Sequence, residues 1–94
     1  MKFKWIPLTG SNVANYAPNE GGYYAIRNSG NKNVVFAADN PNVRDALKQR
    51  LAGNGRVDEC IRAHGGDEFM ALTAEEIRQI RREQVGPGVR PPCR

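Results

Sequence analysis

Residues 22–44, GYYAIRNSGNKNVVFAADNPNVR, constrain the fold of this chain more than any other stretch. Tyr23, Tyr24, Ala25, Ile26 and Arg27 include the aromatic and β-branched side chains that favour a strand. Ser29, Gly30, Asn31, Lys32 and Asn33 form a hairpin loop, with Gly30 the residue suited to a positive φ. Val34, Val35, Phe36, Ala37 and Ala38 are a nearly continuous apolar run, the pattern of a central strand covered on both faces. A helix follows directly, with Asn40 as its N-cap and Pro41 at its first position.

The elements on either side are read by the same rules. Phe3, Trp5, Ile6 and Leu8 make at best a short edge segment, because Pro7 cannot donate to a ladder. Residues 9–20 are polar and turn-rich and read as a loop, with room for one helical turn at 13–16 and Tyr16 as its anchor. After Pro41, Val43, Ala46, Leu47 and Leu51 line one helical stripe, closed by Gly53, Asn54 and Gly55. A second helix spans 57–64, with Val57, Cys60 and Ile61 on one face and Gly65 and Gly66 as its stop. Residues 68–72 read as a third strand. Thr73 then opens a last helix through the capping box Thr73-Ala74-Glu75-Glu76, with Ala74, Ile77 and Ile80 as its apolar stripe. Gly86, Pro87 and Gly88 close that helix, and residues 89–94 form an extended tail. The fold class is therefore α+β: a small single domain over 1–94, with a three-stranded antiparallel sheet flanked by helices. It divides into an N-terminal segment 1–20, a core 21–86 and a basic tail 87–94.

Charge and cysteine usage narrow the function classes. The net charge is +4, and residues 77–94 hold all of it: Arg78, Arg81, Arg82, Arg90 and Arg94 against Glu83 alone. Such a segment attracts phosphates or an acidic protein partner, although a solvated helix face and tail would look the same. No run approaches the roughly 20 apolar residues of a membrane span, and the N-terminus lacks the features of a secretory signal. The expectation is a cytoplasmic protein without membrane contact. In that compartment Cys60 and Cys93 are expected as reduced thiols, with a bridge between them left open as an alternative. Cys60 and His64 stand one helical turn apart and could be metal ligands. With only Cys93 to join them, a structural zinc site is not expected. They are read as a small buried thiol and a histidine favoured at a helix C-terminus.

The order hairpin, helix, helix, strand, helix resembles the GIY-YIG nuclease domain over roughly residues 20–92. Gly22-Tyr23-Tyr24 corresponds to the family's first motif, and Phe36-Ala37-Ala38 occupies the second, twelve residues on from Tyr24. Arg44 falls where the family places an arginine in the next helix. Glu76, with Glu75 as alternative, matches the metal-binding glutamate after the third strand. The resemblance implies phosphodiester hydrolysis, with Tyr24, Arg44 and Glu76 as catalytic residues and Glu76 holding Mg2+ or Mn2+. The residue types suit that chemistry. A guanidinium and a carboxylate-held cation stabilise the charge that grows on a phosphodiester.

The chain departs from the family pattern in four places, one of them the asparagine often found at the family's end, where the tail offers Pro91, Pro92 and Cys93. Phe36 lacks the hydroxyl of the second motif's tyrosine, Ala38 crowds a glycine position, and Asp39 stands where a basic residue is common. The implied function is a nucleic-acid-binding domain, DNA before RNA, with phosphodiesterase activity weakened or lost. Lys48, Arg78, Arg81 and Arg82 would contact the backbone. The alternatives are an active divalent-metal-dependent endonuclease with an altered site, and a protein-interaction module that keeps the fold. Each site residue also has a structural role open to it. Tyr24 can pack as a strand aromatic, and Tyr23 should face the opposite side. Arg44 can be a solvated first-turn arginine. Glu76 can serve the capping box; at about 100° per residue it lies about 40° from Ile80 and flanks the buried stripe, whereas Glu75 points outward.

Overall fold

The structure is a computed structural model that describes residues 4–53, 55–80 and 92–93, with the backbone alone at 79 and 80. Its elements are β1 (Ile6–Pro7), α1 (Gly10–Tyr16), β2 (Gly22–Arg27), β3 (Val34–Asn40), α2 (Val43–Ala52), α3 (Arg56–Ala63), β4 (Glu68–Thr73) and α4 (Ala74–Ile80). All strand pairs are antiparallel, in the order β1-β4-β2-β3. The α+β class stands, but the sheet has four strands rather than three. Ile6 and Pro7 pair with Phe69 and Glu68 and add a two-residue edge. Pro7 is tolerated because an edge position asks for no second ladder bond.

Strand β3 lies at the opposite edge, not at the centre where its apolar run would place it. Its apolarity has another cause: it contributes to clusters on both faces of the sheet. A register shift at Ile26/Arg27 leaves Val35 as the extra residue, since Ile26 pairs with Phe36 and Arg27 with Val34. This bulge turns Val35 and Phe36 into the same core cluster. Gly30 does not supply the positive φ of the loop; Lys32 does, at 65°. The loop is shaped by asparagines instead. Asn28 Oδ1 accepts from the amides of Gly30 and Asn31, and Asn31 Oδ1 accepts from that of Asn33.

At the other end of the hairpin, Gly22 pairs with Asn40 on one side and Thr73 on the other. A Cβ there would fall on the Leu72 carbonyl. Glycine is required because β2 and β4 approach backbone to backbone, not for its conformational freedom.

One face of the sheet is covered by α1, α2 and α3. Val13, Tyr24, Ile26, Val43, Leu47, Ile61 and Phe69 form its centre. The expected loop over 9–20 is a seven-residue helix: Thr9 caps it by accepting from the Asn12 amide, and Val13 anchors it with no exposure. Tyr16 is 60% exposed and does not anchor. Helix α2 begins two residues later than expected. Asn40 ends β3 and its side chain accepts from the Asn42 amide, while Asn42 caps the helix by accepting from Asp45. Leu51, the last residue of the expected stripe, is 38% exposed. Helix α4 lies on the other face, where Ile77 joins Ala25, Met70 and Leu72. Among the described residues no helix is long and apolar enough to cross a membrane.

Cys60 and Cys93 are joined in a disulfide, which corrects the expectation of two free thiols. The Cys93 amide also donates to the Val35 carbonyl at 2.9 Å, so residue 93 meets the edge of β3 and the flank of α3 together. The Cys60–Cys93 bond alone spans 33 residues of sequence, a separation at which composition gives no signal. Arg81, Arg82, the Gly86-Pro87-Gly88 stop and most of the basic tail lie outside the described residues.

Candidate functional site

Tyr24 is a core residue. Its side chain is 3% exposed and packs against Phe36 with ring centroids 5.9 Å apart. Burial raises its hydroxyl pKa above the ordinary value; nearby Arg50 opposes this and Asp58 adds to it. A tyrosine so placed stays protonated at neutral pH. Tyr23, next in the strand alternation, faces the α4 side, and burial followed by repulsion from Asp39 raises its pKa as well.

Beside Tyr24 stands a charged pair that sequence reasoning missed. Arg50 Nε on α2 and Asp58 Oδ1 on α3 are 3.0 Å apart, with the two side chains 21% and 4% exposed. The atoms are close but not aligned as a hydrogen bond. The Arg50 guanidinium also lies 5.9 Å from the centre of the Phe36 ring. Asp58 Oδ2 accepts from the Gly55 amide at the start of α3. The aspartate at this third position of α3 was the available signal, since such a residue reaches back to the helix start. Its partner Arg50 carried none. The group joins α2 to α3 over the sheet, and its geometry is that of a clasp.

Arg44 is half-buried in the first turn of α2. Its Nε donates to the Ala17 carbonyl at 3.0 Å, and its backbone amide donates to Pro18. This ties α2 to the end of α1. Lys48, one turn further along α2, is exposed, as is Arg78 on α4. Glu76 is half-buried and completes the capping box: its Oε1 accepts from the Thr73 amide at 2.8 Å, while Thr73 Oγ1 accepts from the Glu76 amide at 3.1 Å. Helix α4 sits on the face opposite Tyr24. The structure therefore places Tyr24, Arg44 and Glu76 in three settings: a core cluster, an α1–α2 tie and a helix cap. No hydrogen bond or ion pair among the described residues links them.

Two further sets are assembled by the fold alone. Asp67, ahead of β4, accepts from the Ser29 amide at 2.8 Å and the Ser29 hydroxyl at 2.7 Å. The Ser29 hydroxyl, then its amide, holds the Asp67 carboxyl below its usual range. Cys60, His64 and Cys93 bring their ligand atoms within 4.8 Å of one another, the one group of three such side chains among the described residues. Two sulfurs and an imidazole are soft donors and do not suit magnesium.

No protein-family model, no curated protein and no solved structure matches the chain. The GIY-YIG resemblance rests on element order and on the motif residues themselves.

Proposed function

We propose that this chain is a nucleic-acid-binding domain, of GIY-YIG-like architecture, in which phosphodiesterase activity is weakened or lost. The observation that carries this reading is charge segregation: residues 77–94 hold the whole net charge of +4. A mobile counterion atmosphere is released when such a segment meets a phosphate backbone, which favours binding without base readout. Lys48 on α2 and Arg78 on α4 are exposed, which leaves each free to add a phosphate contact in this reading. DNA is the first ligand to test and RNA the second, with the protein acting in the cytoplasm. The loss of chemistry is favoured by the burial of Tyr24, by Phe36 in place of a second tyrosine, and by the use of Glu76 Oε1 in a helix cap. In an active relative of this site Glu76 would hold Mg2+ or Mn2+.

The test is fluorescence anisotropy of a labelled DNA duplex across a salt series. The expected result is binding that weakens steeply with salt. Lys48→Ala and Arg78→Ala should each lower the log–log salt slope by about 1. Absent or salt-insensitive binding overturns the reading and leaves a protein-interaction role. Plasmid nicking with Mg2+ or Mn2+ that is lost in Arg44→Ala would overturn the claim of lost chemistry.

A further inference from the structure

We propose that Cys60, His64 and Cys93 form a redox-gated zinc site, covalently closed as a disulfide and able to take one Zn2+ once reduced. The three ligand atoms come from two places in the chain. Cys60 lies in the last turns of α3 and His64 is its C-cap, four residues on, where the His64 amide donates to the Cys60 carbonyl at 3.0 Å. Cys93 is delivered from the tail, fixed by its amide bond to Val35. The bridge accounts for the approach of the two sulfurs. Helical spacing sets His64 beside Cys60, so its ligand nitrogen lies within 4.8 Å of both sulfurs as a third donor.

The imidazole is exposed, and Asn28 fixes the backbone beneath it by donating to the His64 carbonyl at 3.0 Å. The ring can therefore swing toward the sulfurs without disturbing the helix end. A tetrahedral zinc with bonds of about 2.3 Å to sulfur and about 2.0 Å to nitrogen sets two sulfurs about 3.8 Å apart and sulfur about 3.5 Å from nitrogen. The 5.7 Å between the two Cα atoms leaves room for the sulfurs to reach that spacing after reduction.

The chemistry balances in two steps. A dithiol donor reduces the Cys60–Cys93 bond, gives two thiols and becomes a disulfide itself. Zn2+ then displaces one proton from each thiol to solvent and binds two thiolates and the neutral imidazole. Two thiolates cancel the charge of the ion, and the fourth position is left for water. The same tail-to-α3 connection is thus kept by a coordinate bond in place of the covalent one. The proposal stands apart from the nucleic-acid reading, and its readout is metal uptake alone.

The experiment uses the full chain, reduced under nitrogen with a water-soluble phosphine, which is oxidised to its oxide with oxygen from water. Co2+ serves as the spectroscopic probe and Zn2+ as competitor. The expected result is one Co2+ per reduced chain, with thiolate-to-cobalt charge transfer and tetrahedral d–d bands. Zn2+ should displace it, and the oxidised chain should show no such bands. His64→Ala should weaken uptake by more than about 10-fold, the least that even an outer-shell partner costs. Cys93→Ser should abolish the two-sulfur spectrum. On the unmutated chain, Zn2+ should slow alkylation of Cys60 and Cys93 together, a measurement that needs no variant to fold. Failure of the reduced chain to bind stoichiometric metal overturns the proposal, as does His64→Ala binding as tightly as the parent.

Discussion

Beneath α1, α2 and α3 the sheet carries a cluster of twelve buried residues, Val13 to Cys93; beneath α4, among the described residues, three are buried, Ala25, Met70 and Leu72. The thick face draws on three helices, three strands and residue 93. The thin face relies on side chains that are only partly covered, Trp5, Tyr23, Val34, Ala37 and Ile77. Since stabilisation scales with apolar area removed from water, the thick face sets the global stability and the thin face is the easier to open. The two faces also separate the candidate site residues. Tyr24 belongs to the thick face and is enclosed by it, while Glu76 and Arg78 belong to the helix on the thin face, where the basic segment begins. Residues that the GIY-YIG resemblance groups together are here divided by the sheet itself.

The comparison is most directly broken at Leu47, which has no exposure. Leu47→Ala should cost about 4 kcal/mol, transfer loss and cavity together, read from urea denaturation. A loss smaller than that of the thin-face variant below would remove the distinction between the faces. Next comes the clasp over the thick face. Asp58→Ala leaves Arg50 without its partner and the Gly55 amide without its acceptor. A loss of about 3 kcal/mol is expected, at the low end for a broken buried pair because Arg50 is 21% exposed. Asp58→Asn, which keeps the acceptor, separates the charge from the helix-start bond.

On the thin face, Ile77→Ala should cost about 1 kcal/mol, as the side chain is only half-buried. Hydrogen exchange should show α4 opening before α2 does, and equal protection of the two helices would contradict this. The smallest effect concerns Asp67. Its pKa is lowered in the fold, so its contribution to stability is fully present above the ordinary carboxylate range. That contribution is lost as pH falls through the folded value, below 3.8. Asp67→Asn should lower Tm modestly at neutral pH and flatten the acid limb of a Tm-versus-pH curve, parent and variant converging as the carboxyl is protonated. An unchanged acid limb would mean that Ser29 does not hold the carboxylate in solution.

What the sequence determined by itself is what nearest neighbours decide. The alternation in Tyr23–Ile26, the Val43, Ala46 and Leu47 part of the α2 stripe and the Thr73–Glu76 capping box all appear where the residues predict them, because each depends on partners within about four positions. Even locally, competition misleads. Asn40 and Asn42 are both fit to cap, and the one after Pro41 does so; Thr9 caps a helix that polar composition had hidden. Tertiary structure alone decided the rest. The edge position of β3 follows from β4 pairing on the other side of β2. Ser29 meets Asp67 across 38 residues, Arg27 meets Glu68 across 41, and Cys60 meets Cys93 across 33. No periodicity encodes such pairs. They exist because packing two layers onto one sheet brings distant segments to the same edge, and the candidate zinc ligands are its product rather than a motif's.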